Sequence, residues 1–373
     1  MGYVVFRDLS RAFPREFSYC GKGDQSLMTE AIKSGTQCID SARKGVAWLL
    51  DHQRPDGSWK YLPNPPLDAY YRAGWTLGLM GEVAAAERAL DYVKRNFLAP
   101  DGDFTGRENG WYKTVHYPYP NAILVYGAQR LGRYDLAIPG LRFLLSQQDP
   151  TYGGFYMARA EPGYRANSNT ISTAMAGVAC LATGQVEAAR KAGDWLCRLV
   201  EMQPAPEERF YTTTKPDGSV RTDYSSEESR WHAVEVKVET QCWYAVGLPF
   251  AFAILLHQAT SEKRYDDLAQ WLLDFQLRCV NPWDGPSSGK AAWACSMLYR
   301  LTGERRYRDI ALHVAGNFIS RQTPEGWFKG WLYVPPKSGE GEHVLTVRQF
   351  ESTLEFSQWL GLIGENLLAR DPD

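Results

Sequence analysis

Hydrophobic positions fall along the chain in helix-length runs of two kinds. In Val83–Phe97, Tyr265–Phe275 and Tyr307–Ile319 apolar residues recur every three or four positions, which predicts amphipathic helices with one wet face. In Asn121–Leu131, Ile171–Ala182, Gln241–Gln258 and Ala291–Leu301 the residues are apolar nearly all round and often small, as in helices buried on every side. The two kinds alternate. An aromatic residue followed by Leu or Ile closes each amphipathic run, at Trp48, Phe97, Phe143, Trp195, Trp271 and Phe318, with intervals of 49, 46, 52, 76 and 47 residues. The pattern is six copies of one unit, with an insertion at about 203–236 lengthening the fourth interval.

Glycine turns keep the same phase. Asp56-Gly57-Ser58-Trp59, Asp101-Gly102-Asp103-Phe104, Gly153-Gly154-Phe155, Asp284-Gly285 and Glu325-Gly326-Trp327 follow the anchors. A tighter break lies midway through most units, at Gly81, Gly132, Gly184, Ser261 and Gly303, where glycine reads as a helix C-cap or turn. Alternating inner and outer helices, six times over, predict an all-α (α/α)6 toroid. It spans residues 36–370 as a single domain behind an N-terminal extension, 1–35. The first helix, Thr36–His52, is of the outer kind and the last, Thr353–Leu368, of the inner kind. Their pairing would close the ring, whereas an open stack would need polar capping repeats.

The outer-to-inner connections are the long ones, about 54–68, 99–119, 149–168, 200–238, 278–288 and 321–349. In a toroid they share one rim, where they meet the N-termini of the inner helices. Long loops on a rigid scaffold are where function concentrates. Two look like lids: a hairpin over Phe210–Tyr224 about a Pro-Asp-Gly turn, and a second formed by Trp327–Val334 and Val344–Val347.

Composition narrows the field. The chain has 373 residues, 44% hydrophobic and 23% charged, with a net charge of −2. A nucleic-acid binder would carry a basic surplus, so a small-molecule substrate is the expected partner. No run reaches the roughly 18 uncharged apolar residues of a membrane span, and the first residues lack the apolar stretch of a signal peptide. The seven cysteines are scattered and form no CxxC pair; reduced thiols and a cytoplasmic location fit them. Aromatic residues make up 13%, with 13 Trp and 21 Tyr, enough to line an apolar cavity as well as a core.

Polar and aromatic residues gather at the starts of the inner helices. The first unit offers Asp68, Tyr70, Tyr71 and Arg72; the second His116, Tyr117, Tyr119 and Asn121; the third Asn167 and Asn169; the fourth Glu235, Lys237, Glu239, Gln241 and Trp243. The fifth offers Trp283, Asp284, Lys290 and Trp293, and the last His343, Arg348 and Glu351. Of these, Asp68, His116, Glu235, Lys237, Glu239 and Asp284 are the acid–base candidates. Tyr70, Tyr71, Tyr117, Tyr119, Asn167, Asn169, Trp243, Trp283, Lys290, Trp293, His343 and Glu351 are the substrate-binding candidates. In Glu235-Val236-Lys237-Val238-Glu239 alternation places three charges on one side of a strand, either as a rim salt bridge or as an acid or base facing the cavity. Asp68 reads equally as a helix cap. No HExxH, GxGxxG, GxxxxGK[ST] or GxSxG occurs, so neither a metal nor a nucleotide cofactor is expected.

Gln53-Arg54-Pro55-Asp56-Gly57-Ser58-Trp59, and more loosely Gln322-Thr323-Pro324-Glu325-Gly326-Trp327, resemble the Gln–Trp repeat of the squalene/hopene cyclase and protein prenyltransferase superfamily. The periodic likeness covers about residues 36–370. It implies an α/α toroid whose outer helices are stapled by the motif. The Asp-rich acid motif (DxDD) of squalene-hopene cyclases is absent. Glu239-Thr240-Gln241-Cys242-Trp243-Tyr244 is similar to the zinc-binding cysteine segment of prenyltransferases, but its acid lies three residues before the cysteine rather than two. Leu301-Thr302-Gly303-Glu304-Arg305-Arg306-Tyr307 resembles the helix–turn–helix phrase of (α/α)6 carbohydrate enzymes, among them unsaturated glucuronyl hydrolases, polysaccharide lyases and sugar epimerases. Two enzyme readings follow. One is a cofactor-independent cyclase or isomerase that folds a largely apolar, terpenoid-like intermediate in an aromatic-lined cavity. The other is a carbohydrate-active enzyme with a polar cleft. A non-catalytic ligand-binding toroid is the third.

Overall fold

The structure, a computed structural model, describes residues 34–330 and 346–371 apart from 162 and 164. Six helices form an inner ring: α2 (Ala73–Leu79), α5 (Pro118–Arg130), α7 (Thr170–Ala182), α10 (Tyr244–Thr260), α12 (Gly289–Thr302) and α14 (Val347–Leu368). Each packs on the next, and α14 packs back on α2. Six more surround them: α1 (Gly35–Asp51), α3 (Val83–Phe97), α6 (Tyr134–Ser146), α8 (Val186–Glu201), α11 (Lys263–Arg278) and α13 (Arg305–Ile319). Every outer helix pairs with one inner helix, and α1 pairs with α14 to join the two ends of the chain. The molecule is an all-α (α/α)6 toroid.

Burial follows the hydrophobic patterning. In α10 every residue from Ala245 to Ile254 is buried, so that helix can only stand inside. In α8 the buried residues Ala189, Ala192, Gly193, Trp195, Leu196 and Leu199 form one stripe. Capping boxes start α1 (Ser34 with Gln37) and α14 (Thr346 with Gln349), each satisfying two orphan backbone donors.

The Gln–Trp motif acts as a staple. Gln53, just past α1, donates from Nε2 to the carbonyl of Ala85 on α3 and accepts from Arg88. Gln148 does the same from the end of α6 to Ala188 on α8, and Gln322 from the end of α13 to Ser41 on α1. Trp59 donates from its indole to the Ala69 carbonyl. Gly57 and Gly102 have φ of 88° and 91°, and a Cβ on either would fall under 3.0 Å from the carbonyl oxygen of Arg88 or Pro139 on the next outer helix. Only glycine combines that backbone with so close an approach.

The insertion differs from its expected hairpin. The Pro-Asp-Gly turn closes a shorter one, with Lys215 bonded to Ser219 and Arg221 to Thr213. The flanking strand β2 (Arg209–Tyr211) pairs instead with β4 (Ala233–Glu235), while β3 (Thr213–Thr214) pairs with β1 (Ser168–Asn169). The insertion is thus sewn into the rim by both neighbours. Most of the second expected hairpin lies outside the described residues.

Candidate functional site

The inner helices enclose a cavity of about 730 Å³ at their N-terminal ends, on the rim that carries the long loops. Arg72, His116, Tyr119, Lys290, Glu351 and Glu355 reach it from the helix starts, and Tyr112 from the short helix α4 (Gly110–Thr114). Ile171, Trp231, Ala233, Val238 and Phe356 make an apolar side. One turn further along their helices, Trp75, Trp293 and Trp359 meet with ring centroids 5.9–6.2 Å apart.

Two carboxylates on α14 govern the polar side. Glu351 accepts from Tyr112 Oη at 2.6 Å, from Tyr71 Oη at 3.2 Å and from Arg348 at 2.9 Å. Burial raises its pKa above the ordinary carboxylate value, the Arg348 charge and the Tyr112 bond oppose it, and the Glu355 charge adds to the rise. Glu355 receives Lys290 Nζ at 2.5 Å, Arg72 Nη2 at 3.1 Å and the Trp359 indole at 3.1 Å. Burial penalises its charge as well, but Arg72 and Lys290 together outweigh that and hold it at about 2. The two neighbours are therefore driven apart, Glu351 upward and Glu355 downward, the kind of divergence that marks acid–base assignments.

Arg72 is buried and over-determined. It donates to Tyr71, Tyr119 and Gln358 as well as to Glu355, and its guanidinium lies 5.0–5.6 Å from the ring centroids of Tyr71, Tyr119 and Trp359. Lys290 Nζ sits 5.5 and 5.0 Å from the Tyr244 and Trp359 rings. His116 is buried against the edges of Trp231 and Tyr244, and burial pushes its pKa down to about 3.

The sequence candidates divide into wall and support. His116, Tyr119, Glu235, Lys290 and Glu351 line the cavity; Tyr71 touches Glu351 from behind, and Trp293 packs behind the wall against Trp75 and Trp359. Glu235, at the end of β4, faces Arg209 at 3.5 Å. The strand stops there, so Lys237 and Glu239 lie exposed on a turn, with Glu239 accepting from Asn281 at 3.3 Å. Asp68 is not on the wall; both its oxygens accept backbone N–H groups, of Glu108 and Asn109, at 3.0 Å. Asp284 pairs with His313 at 2.6 Å on the outer surface. Tyr70 bonds the Trp59 amide, and Tyr117 bonds Asp103 in a buried cluster with Arg107 and Asn121. Asn167 accepts the Met157 amide, Trp243 packs against Gly285, and the Trp283 carbonyl accepts from Asn317. Asn169 caps α7 and contacts His116. His343 lies outside the described residues. Glu355, Tyr112, Tyr244 and Arg230 also line the cavity and are absent from the sequence candidates. Glu355 had one local signal, a carboxylate one helical turn after Glu351 on the same inner helix.

Among the described residues no His, Cys, Asp and Glu group could hold a metal ion, and no helix is long and apolar enough to cross a membrane. Six cysteines of the described residues are free thiols.

No family model matches the chain, and no curated protein matches it either. Solved structures do. A D-mannose isomerase aligns over 88% of this chain and 97% of its own at TM-score 0.63 and 12% identity. An α-mannanase of glycoside hydrolase family 76 from Bacteroides thetaiotaomicron aligns over 88% and 96% at TM-score 0.59 and 14% identity. A variant of the type II terpene cyclase MstE from Scytonema, in complex with geranylgeranyl dihydroxybenzoate, aligns over 90% and 98% at TM-score 0.53 and 12% identity. At such identities the likeness is one of fold. All three are enzymes, and they divide between sugar and terpenoid substrates.

Proposed function

We propose that this toroid is a cofactor-independent isomerase or cyclase that works by proton transfer on an amphipathic, terpenoid-like substrate. The observation that carries the reading is the pair Glu351 and Glu355, adjacent on one helix face and with proton affinities pushed in opposite directions in a half-apolar cavity. Glu351 is the acid. It gives its proton to the substrate, and its carboxylate is then met by Tyr71, Tyr112 and Arg348. That carboxylate takes a second proton from the rearranged intermediate, so the cycle is redox-neutral and protons balance. Positioned acid–base catalysis of this kind contributes about 10²–10⁴-fold. Glu355 holds Lys290 and Arg72 in place rather than moving a proton.

The charge of the wall restricts the substrate. Arg72, Arg230, Lys290 and Arg348 outnumber Glu235, Glu351 and Glu355 in the lining, so cations are in excess. A free carbenium ion would be repelled there, whereas a substrate with an acceptor oxygen at one end is favoured. The apolar body of the substrate would lie along Ile171, Trp231, Val238 and Phe356.

A second reading, a sugar-directed isomerase or epimerase, draws on the hydroxyl-rich pole of Tyr71, Tyr112 and Tyr119. Glycoside hydrolysis fits less well, because its two carboxyl groups flank the scissile bond and these two project from one helix. The test is incubation in D₂O with two panels, prenyl carbonyl compounds and carboxylates against aldoses and ketoses, with mass spectrometry of the recovered compounds. Deuterium or a new isomer from the first panel, lost in Glu351→Gln, supports the proposal. Incorporation into sugars alone transfers the assignment to the second reading. None from either panel contradicts both.

A further inference from the structure

His116 has one side tied to the scaffold and the other left open. Asn169 is the N-cap of α7, and its Oδ1 accepts the Ser172 amide at 2.9 Å. That bond fixes which end of the side-chain amide is the oxygen. Its Nδ2 therefore points the other way, donating to the Val115 carbonyl at 2.6 Å and lying 3.4 Å from His116 Nδ1. An amide nitrogen has only hydrogens to offer, so this contact calls for an accepting Nδ1 and a ring proton on Nε2, in competition with the Val115 carbonyl, which as an acceptor draws the proton to Nδ1. That assignment comes from the hydrogen-bond network. Nε2 is buried and has no partner among the described residues, and His116 lines the cavity. A buried polar group without a partner is costly, and in a cavity wall it points to a ligand.

We propose that His116 is a neutral hydrogen-bond donor whose Nε2–H, set by Asn169, takes the acceptor oxygen of the substrate, a carbonyl or carboxylate. Arg230 lines the same cavity, its guanidinium 4.7 Å from the Trp231 ring centroid. His116 lies against the Trp231 and Tyr244 edges, where burial first, and then the charges of Lys290 and His232, oppose its protonation and the Val115 carbonyl favours it. A neutral imidazole polarises an oxygen without surrendering a proton to it, which leaves proton transfer to Glu351. Asn169 is the positioning residue. The inference rests on the proton-transfer reading for its role, but its test does not require turnover.

The experiment is ¹⁵N-histidine NMR of the full chain, as wild type and in a Glu351→Gln background, with methyl hexyl ketone, octanoate and octylammonium as probes. Expected is an Nε2–H tautomer that stays neutral down to pH 4. The ketone or octanoate should shift its Nε2 resonance in both backgrounds, while the donor-only octylammonium does not. A response to the ketone alone assigns a carbonyl, and a response to octanoate that also needs Arg230 assigns a carboxylate. His116→Phe should weaken acceptor binding roughly tenfold, the worth of one neutral hydrogen bond. Asn169→Asp keeps an oxygen for the Ser172 cap and replaces the donor by an acceptor, so it should move the ring proton to Nδ1. If that variant does not fold, the wild-type spectrum still decides. An Nδ1–H tautomer, an imidazolium at neutral pH, or a His116 signal that no acceptor moves would overturn the inference. Deuterium exchange that survives in Glu351→Gln would instead sink the proton-transfer reading and leave the His116 result standing.

Discussion

Glu351 and Glu355 lie one helical turn apart on α14, and the protein drives their proton affinities in opposite directions. The cause is what reaches each from across the ring. Glu355 is met by the cations Arg72, from the approach to α2, and Lys290, from α12. Glu351 is met by two neutral phenols and only one guanidinium.

Replacing the two acids should therefore fail in different ways. Glu351→Gln keeps its contacts with Tyr71 and Tyr112, so it should fold with a melting temperature near wild type and lose about 10²–10⁴-fold in turnover. Glu355→Gln leaves Arg72 and Lys290 without a counter-charge. It should lose about 3 kcal/mol, the low end for breaking a buried pair, because 23% of the Glu355 side chain is open to the cavity. Thermal unfolding and activity measured side by side distinguish them.

Tyr112→Phe removes a bond that favours the ionised form of Glu351. The pKa of Glu351 should rise further. Activity that needs the protonated acid falls as pH rises through that value, so the alkaline limb of the pH–rate profile should move upward in the variant. A limb that moves downward or stays fixed contradicts the role given to Tyr112.

Stability should fall on acidification. His116 is neutral in the fold with a pKa pushed from 6.5 to about 3, and His232 from 6.5 to about 4, both chiefly by burial. The unfolded chain binds these protons first, so their contribution is complete above pH 6.5 and is lost as pH falls toward 3. Glu355, lowered from 4.5 to about 2, adds a further loss between those values. Denaturant unfolding across this range should show the decline, and His116→Gln should flatten its upper part without abolishing it.

The staples carry stability and not chemistry. Gln53→Ala removes bonds to Ala85 and Arg88, and Gly57→Ala forces a Cβ against the Arg88 carbonyl in a backbone with positive φ. Each should cost about 1–3 kcal/mol and lower the melting temperature, with ligand affinity unchanged. A loss of affinity at full stability would contradict this division.

Much of the fold was legible because the contrast between inner and outer helices is local and repeats six times. A helix apolar on all sides has to be inside wherever its neighbours lie. The site was legible only in part. His116, Lys290 and Glu351 stand at inner-helix starts, where the rim argument looks, and they line the cavity. Asp68 and Tyr117 stand at the same kind of place but tie down loops, since helix starts need caps as much as clefts need polar groups. Glu355 has meaning only through Arg72 and Lys290, 283 and 65 positions away along the chain. No local pattern announces such partners.

The central claim is that Glu351 holds its proton more tightly than an ordinary carboxyl beside an ionised Glu355, and it is tested most directly by infrared difference spectroscopy of the protonated carboxyl band during a pH titration. The account predicts a band that persists above the ordinary carboxylate value of about 4.3, vanishes in Glu351→Gln and is kept but titrates at lower pH in Glu355→Gln, which removes a charge that raises it. A band that titrates at the ordinary value, or one lost with Glu355 rather than Glu351, would contradict it.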